Sequence, residues 1–172
     1  MNSIEAALSI GSNLGDRLAH LREARQAIAQ IPEVCVTASA PLYETEPVGC
    51  APEHRDKPYY NSVLLLGTSL EAHKLFAALQ RVETDLGRTR TRGRINEPRT
   101  IDIDLIYYDG QSIRSGGLVV PHPRWSLRRF VLQPLADLRG HLVLPGHDRR
   151  VRDILAALPE GAQPVTLRMQ NW

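Results

Sequence analysis

The sequence predicts an α+β sandwich in which a four-stranded antiparallel sheet carries two helices on one face. Three observations lead to this prediction. Four segments within the first 108 residues have the apolar or alternating pattern of strands. Two further segments have apolar residues at helical spacing. The order of the six is β-α-β-β-α-β, with Gly- or Pro-containing turns between them, which is the order of the ferredoxin-like fold.

The first strand is predicted at residues 5–10, and the turn residues of segment 11–16 end it. A helix is expected next, because apolar residues recur every three or four positions until Pro32. These residues are Leu18, Leu21, Ala24, Ile28 and Ile31. The helix should therefore pack one apolar stripe against the sheet.

The second strand is predicted from Val34 to Tyr43, with Pro41 near its end or on a sheet edge. Residues 44–58 are polar and rich in proline, which predicts a mobile loop. The third strand, residues 59–67, is the most apolar of the four and should lie centrally in the sheet.

The second helix is expected to begin at a capping box, Thr68 to Glu71, and to end at Gly87 as a left-handed cap. Its apolar stripe contains Leu75, Leu79, Val82 and Leu86. After residue 108 the pattern predicts a small hairpin, from segments 111–113 and 118–120, and helices at residues 130–138 and 151–158. The chain of 172 residues is expected to form a single domain, 1–172.

The fourth strand carries the candidate chemistry. In the run from Pro98 to Tyr108, a period of two places Asp102 and Asp104 on one face and the alternate apolar residues on the other. At about 3.3 Å per residue, both carboxylates can reach the same cation or pair of cations. Considered alone, such a pair would more often be a solvated strand face.

Arginines immediately upstream of this strand change the interpretation of the aspartate pair. They are Arg88, Arg90, Arg92, Arg94 and Arg99. Guanidinium groups beside paired carboxylates suit a phosphate chain chelated by magnesium.

Two other segments are candidates for ligand contacts. Gln80 and Glu83 share a helix face that ends at this loop, so they lie either on a solvated face or near the ligand. Segment 121–130 combines His122, three arginines and two aromatic residues, which suits phosphate binding and ring stacking.

Composition restricts the class of protein. The net charge is only +2, which favours a small anionic ligand over a long polyanion. Cys35 and Cys50 have no metal-ligand spacing, so a zinc site or disulfide framework is not expected, and a reducing cytoplasm fits. No apolar run is long enough to span a bilayer. We therefore expect a cytoplasmic protein without membrane or nucleic-acid partners. Separately, we expect a monomer.

Several motifs resemble those of the 6-hydroxymethyl-7,8-dihydropterin pyrophosphokinase family, in order and spacing, along almost the whole chain. They are Gly11–Asp16, Tyr43–Pro47, Tyr60–Asn61, Gln80–Glu83, Leu86–Arg88, Pro98–Leu105 and Pro121–Phe130. The resemblance implies an enzyme of folate biosynthesis. Such an enzyme transfers a diphosphoryl group from ATP to the hydroxymethyl oxygen of the pterin and releases AMP.

The resemblance also implies roles for individual residues. Asp102 and Asp104 would hold two magnesium ions, and with Arg88 and Arg99 they would form the catalytic set. The residues implied for ATP are Gln80, Glu83, Arg88, Arg90, Arg92, Arg99, Leu105, His122 and Arg128. Those implied for the pterin are Thr45, Pro47, Val48, Tyr59, Asn61 and Phe130, with Tyr59 and Phe130 enclosing the ring.

Two other classes of protein remain as alternatives. Ferredoxin-like sheets also form RNA-recognition domains, but the aromatic signature expected on the third strand is missing, and the two aspartates would repel a phosphate backbone. An unrelated magnesium-dependent phosphotransferase is the second alternative. The pterin-binding set, which includes Thr45, Tyr59, Asn61 and Phe130, argues against it.

Overall fold

The computed structural model describes residues 3–47, 56–87, 98–159, 161 and 163–172. Val48, Arg88, Arg90 and Arg92, four of the predicted site residues, lie outside these ranges, as does most of the predicted loop at residues 44–58. The elements of the described chain are, in order, β1 (Ile4–Ser12), α1 (Arg17–Ala29), β2 (Val34–Ser39), β3 (Leu42–Thr45), β4 (Tyr59–Thr68), α2 (Ala72–Asp85), β5 (Asp102–Tyr108), β6 (Ile113–Ser115), β7 (Leu118–Val120), a 3-10 helix (Trp125–Leu127), α3 (Arg129–Arg139), α4 (Val151–Ala156) and β8 (Val165–Met169).

The main sheet confirms the predicted α+β class and the antiparallel order of its strands. β1 lies between β5 and β4, and β2 and β3 both pair with the other edge of β4. The predicted second strand is thus interrupted at Ala40 and Pro41. Proline has no backbone N–H to donate to a ladder, which accounts for the interruption.

The prediction of only four strands is wrong, because β8 adds a further strand beside β3. Most of its side chains are exposed, and its sequence, Val-Thr-Leu-Arg-Met, has no clear apolar face. An edge strand of this kind is stabilised by its backbone pairing with β3 rather than by burial. It therefore leaves little signal in a pattern of hydrophobic residues.

α1 and α2 cover one face of the sheet, as predicted. Their apolar residues pack against alternate residues of the strands, among them Leu8, Leu64, Ile103 and Leu105. The burial of Ile103 and Leu105 in this layer turns the residues that alternate with them, Asp102 and Asp104, to the opposite face of β5.

The second face of the sheet is also covered, which the two-layer prediction missed. α3 and α4 pack there, with Trp125, against β4 and β5 residues such as Val63, Leu65 and Ile106. Four consecutive residues of β4, Val63 to Leu66, are completely buried. A strand buried on both faces has a continuous apolar run, so β4 itself carried the signal for a second helical layer.

The observed helix ends and turns agree in part with those predicted from the sequence. The predicted capping box is wrong, since Glu71 is the N-cap of α2 without a side-chain cap bond, and Thr68 Oγ1 instead accepts the Leu70 N–H at 3.0 Å. Gly87 has the expected left-handed backbone, with φ of 82°. The hairpin of β6 and β7 is also present, although β6 begins only at Ile113.

Candidate active site

Asp102 and Asp104 lie at the start of β5, on the face of the sheet away from α1 and α2. In the ladder with β1, Asp102 is opposite Gly11 and Asp104 is opposite Ser9. All four residues line one cavity of about 470 Å³. The side chains of β1 at this point are small, so they leave space above the sheet beside both carboxylates.

Cationic residues face these carboxylates from two other segments. Arg99 Nη1 lies 3.1 Å from Asp102 Oδ1, and Arg128 Nη1 lies 3.4 Å from Asp104 Oδ2. Burial disfavours the charge of Arg99, but Asp102 and the other acidic groups around it raise its pKa above the usual value. Burial and the positive charge of Arg124 lower the pKa of Arg128. The two arginines offset the repulsion between the two aspartates.

His122 completes this group of residues. Its Nε2 lies 3.8 Å from Asp104 Oδ2, and its Nδ1 accepts the backbone N–H of Arg124 at 3.2 Å. Burial, followed by the positive charges of Arg128 and Arg124, lowers the pKa of His122 to about 4. The ring is therefore neutral near pH 7, with its hydrogen on Nε2. It can donate that hydrogen to an anionic oxygen in the cavity.

The donor set of the cavity fits magnesium. Asp102 and Asp104 supply carboxylate oxygens, and their side chains are 27% and 33% exposed, so a ligand can reach both. Within the described ranges, no cluster of three or more His, Cys, Asp or Glu side chains is arranged to enclose a metal ion. Magnesium in phosphate-transferring enzymes is commonly held by one or two carboxylates together with substrate phosphates and water, which this pair allows.

Asn13 positions the segment that carries Arg99. Its Oδ1 accepts the backbone N–H of Arg99 at 2.8 Å, and its own N–H donates to the Arg99 carbonyl at 3.2 Å. Its Nδ2 also donates to the carbonyl of Lys57 at 3.3 Å, just before β4. The turn that follows β1 thus has a structural role, because Asn13 holds both the Arg99 segment and the start of β4.

The other end of the cavity is formed by β3 and β4. Asn61 Nδ2 donates to Thr45 Oγ1 at 2.7 Å, and both residues are buried. Gly11 lies opposite Asn61 in the ladder of β1 and β4. A Cβ at Gly11 would lie 2.7 Å from Asn61 Oδ1, so a larger residue at this position would have to displace the Asn61 side chain. The result is a polar floor made of amide and hydroxyl groups.

The cavity brings together ten of the residues predicted from the sequence. They are Thr45, Pro47, Tyr59, Asn61, Arg99, Asp102, Asp104, His122, Arg128 and Phe130. Carboxylates and cations lie with the start of β5, and the polar pair of Asn61 and Thr45 lies with β3 and β4. One cavity therefore offers a charged part and a neutral part with aromatic residues in its wall.

Three predicted residues of the described chain, Gln80, Glu83 and Leu105, are not in the wall of the cavity. Leu105 is buried in the core beneath α1 and α2. Glu83 is buried as well, and its Oε1 accepts the backbone N–H of Ile103 at 2.7 Å. Glu83 thus contributes directly to the position of β5, which the sequence interpretation of this helix face did not anticipate.

The sequence interpretation missed several residues of the cavity wall. They are Ser9, Gly11, Glu46, Leu127 and Gln163, while Arg124 belongs to segment 121–130, which was predicted only as a whole. Ser9 and Gly11 alternate with buried apolar residues of β1, so the pattern of that strand could have indicated a second ligand-facing strand. Gln163 follows α4 in a segment without periodicity, and no local pattern marks it.

A family model described as 7,8-dihydro-6-hydroxymethylpterin-pyrophosphokinase (HPPK) matches residues 7–140. The chain belongs to this family. The match includes the residues of β1, β3, β4 and β5 that line the cavity, together with the 3-10 helix and α3. The predicted membership in the family is confirmed.

Two relatives that are named as pyrophosphokinases, and one named for folic acid synthesis, support the assignment. A 2-amino-4-hydroxy-6-hydroxymethyldihydropteridine pyrophosphokinase of Bacillus subtilis (strain 168) is 39% identical over 138 residues, covering 80% of this chain and 79% of the relative. A protein of the same name from Pseudomonas aeruginosa is 37% identical over 152 residues and covers 88% and 90%. The folic acid synthesis protein fol1 of Pneumocystis carinii is 38% identical, but only 18% of its length is covered.

Solved structures share the fold. A structure of HPPK-DHPS in complex with substrates has a TM-score of 0.69 over 91% of this chain at 11% identity. A Plasmodium falciparum HPPK-DHPS with pterin and p-hydroxybenzoate has a TM-score of 0.69 over 90% of this chain at 12% identity. This chain spans 43% of the length of each of those chains. The likeness confirms the α+β fold.

In the described part of the chain, no helix is long and apolar enough to cross a membrane.

Proposed function

We propose that this chain transfers a diphosphoryl group from ATP to the hydroxymethyl oxygen of 6-hydroxymethyl-7,8-dihydropterin, as the pyrophosphokinases of its family do, in folate biosynthesis. The reaction breaks the bond between the β-phosphorus and the oxygen that bridges the α- and β-phosphates. It forms a bond from the β-phosphorus to the pterin oxygen, whose proton is released, and AMP leaves.

One observation supports this function most directly. Two carboxylates with three cationic or hydrogen-donating side chains, Arg99, His122 and Arg128, share one cavity with the Asn61 and Thr45 pair. Phosphoryl transfer depends on positioning and on neutralising charge, rather than on a nucleophilic side chain. A cavity with a charged part for phosphates and a polar and aromatic part for a planar heterocycle meets both requirements.

In the charged part, Asp102 and Asp104 are the proposed ligands of two magnesium ions. Bound magnesium would neutralise charge on the triphosphate and orient its β-phosphate. Arg99 and Arg128 now pair with these aspartates, and each guanidinium has several N–H groups, so both can contact phosphate oxygens as well. Neutral His122 donates its Nε2 hydrogen to a phosphate oxygen.

Further nucleotide contacts are proposed from the family resemblance. Arg88, Arg90 and Arg92 contact phosphates, and Arg88 acts together with Arg99 in catalysis. Gln80, Glu83 and Leu105 lie beside the nucleotide. The side chains of Glu83 and Leu105 are buried. We therefore propose that these two residues act by positioning β5 and its backbone, and not by contacting the nucleotide with their side chains.

In the neutral part, Asn61 reads the polar edge of the pterin with its amide. Thr45, Pro47 and Val48 offer mainly backbone groups, and Thr45 Oγ1 also holds the Asn61 amide in place. Tyr59 and Phe130 provide rings for the two faces of the heterocycle, and both line the cavity. In the proposed orientation, the hydroxymethyl group faces the phosphates.

The proposal includes the setting of the enzyme. The chain acts as one domain over residues 1–172, as a monomer in the cytoplasm. Its partners are the small molecules ATP and the dihydropterin, without a nucleic acid or a membrane.

An assay of the nucleotide product tests the proposed reaction. Protein, ATP, magnesium and the hydroxymethyl dihydropterin are mixed, and the nucleotides are separated. AMP and the pterin diphosphate should form in equal amounts, and only when all four components are present. ADP as the product would indicate transfer of a single phosphoryl group instead. If AMP formed equally well without the pterin, and no pterin diphosphate appeared, the pterin would not be the acceptor.

A further inference from the structure

The C-terminal segment of the chain returns to the cavity. The family model ends at residue 140, but Gln163 lies in the cavity wall together with Arg128 and Phe130. Gln163 itself therefore lies outside the residues that the family model matches, while its partners in the cavity wall lie inside them.

The side-chain amide of Gln163 makes two hydrogen bonds to one short backbone segment. Its Oε1 accepts the N–H of Arg129 at 3.1 Å, and its Nε2 donates to the carbonyl of Leu127 at 3.4 Å. These two partners flank Arg128. Arg128 is also the N-cap of α3 and makes no side-chain cap bond, so Gln163 satisfies a first-turn N–H from outside the helix.

The segment held in this way carries two of the proposed ligand-binding side chains. The guanidinium of Arg128 lies beside Asp104 and 5.4 Å from the centre of the Phe130 ring. A rotation of the backbone between Leu127 and Arg129 would move both side chains. The amide of Gln163 opposes such a rotation on both sides of Arg128.

Gln163 is itself well supported. The strand that follows it, β8, pairs with β3, so that Val165 lies opposite Thr45. Arg168 forms an ion pair with Glu44, and Trp172 Nε1 donates to the carbonyl of Ala40 at 2.8 Å. Gln163 therefore connects the β3 side of the cavity with the start of α3. Its backbone has φ of 54°, a left-handed conformation that costs energy in residues other than glycine.

We propose that Gln163 is a positioning residue that fixes Arg128 and Phe130 toward the bound substrates. The identity of the substrates in this proposal rests on the proposed function. The contact between Gln163 and residues 127–129 does not depend on that function. Gln163 holds the backbone of residues 127–129 through its amide, and it acts on the pterin and the phosphates only through Phe130 and Arg128.

The test uses the full chain with Gln163→Leu, which keeps similar bulk but removes both hydrogen bonds. Gln111→Leu, at an exposed position away from the cavity, is the matched control. Amide hydrogen exchange at Arg129 reports the contact without any substrate. In Gln163→Leu that amide should exchange about tenfold faster, the KM for the pterin should rise about tenfold, and kcat should fall. The control should match the wild type in all three.

Gln163→Gly separates positioning from stability. Glycine is favoured at a φ of 54°, so this variant deletes the amide while relieving the backbone, and its melting temperature should stay close to that of the wild type. A raised KM for the pterin in this stable variant supports positioning. Unchanged exchange at Arg129 would overturn the contact, and faster exchange with wild-type kinetics would overturn its role in the reaction. A wild-type protein without transferase activity would refute the proposed function, while the exchange result would still stand.

Discussion

The carboxylate of Glu83 on α2 accepts the backbone N–H of Ile103 on β5 at a distance of 2.7 Å. Both residues are buried, and Ile103 lies between the two aspartates of the site. The contact therefore fixes β5 at the point where Asp102 and Asp104 leave the sheet. An acidic residue in the helix layer thus contributes to the geometry of the site without lining the cavity.

Replacing Glu83 should reveal this role in the stability of the protein. Glu83→Leu leaves the N–H of Ile103 without this acceptor in a buried setting, which should lower the free energy of unfolding by about 1–3 kcal/mol. Glu83→Gln keeps an oxygen atom in a similar position, so its free energy of unfolding should fall by less. Urea denaturation of both variants measures the difference. Equal losses would mean that the charge of Glu83, rather than this hydrogen bond, matters for stability.

The two aspartates should be needed for catalysis and not for folding. Asp102→Ala and Asp104→Ala remove the proposed magnesium ligands, and we expect each to lower kcat/KM on the order of a hundredfold or more. Because both side chains are partly exposed and line the cavity rather than either apolar core layer, cooperative unfolding should persist. Steady-state kinetics at saturating magnesium, with thermal unfolding in parallel, makes the measurement.

Asp148→Ala provides the control for the aspartate variants, since Asp148 is exposed and lies outside the cavity wall. It should behave as the wild type. If Asp102→Ala or Asp104→Ala kept near wild-type activity, the assignment of these residues as the magnesium ligands would be wrong.

The sequence was most informative where one local pattern determined the placement of a side chain. Alternation along β5 buries Ile103 and Leu105, and that alone places Asp102 and Asp104 together on the other face. The left-handed cap at Gly87 is similarly local. Such features depend on a few neighbouring residues, so they can be predicted without knowledge of the rest of the fold.

Features that depend on distant parts of the chain were not predicted. The capping of α3 by Gln163 joins residues 34 positions apart, and the pairing of β8 with β3 joins the chain end to a strand more than a hundred residues earlier. The burial of Glu83 likewise depends on where β5 packs. An amphipathic helix pattern shows which face is apolar, but it does not show which polar residue at its margin meets a backbone donor.

Tyr43 should make the stability of the protein sensitive to alkaline pH. Its hydroxyl donates to Asp137 Oδ2 at 2.6 Å, and burial, together with this carboxylate, raises its pKa to about 12. The folded state therefore keeps the phenol proton at a pH where the unfolded state, with a pKa of about 10, has lost it. Stability from this group is present below about pH 10 and is lost as the pH rises toward 12.

The comparison of wild type with Tyr43→Phe isolates this effect, because the other tyrosines are common to both proteins. Between about pH 8 and about pH 11, the wild type should lose about 1 kcal/mol more unfolding free energy than the variant. Urea denaturation at the two pH values gives both losses. Parallel losses would show that the phenol of Tyr43 titrates alike in the folded and unfolded states.

Gly11 should be required for binding the pterin. It lies between Asn61 on β4 and Asp102 on β5, and an added Cβ would come within 2.7 Å of Asn61 Oδ1. Gly11→Ala must therefore displace the Asn61 amide, whose Nδ2 is held by Thr45. A displaced amide leaves polar groups of the pterin without partners, so the KM for the pterin should rise about tenfold, with a smaller change for ATP.

Gly110→Ala is the control for Gly11→Ala, since a Cβ there meets nothing within 4 Å. Equal changes in the two KM values would instead indicate a general distortion of the sheet, and Asn61 would lose its assignment to the pterin.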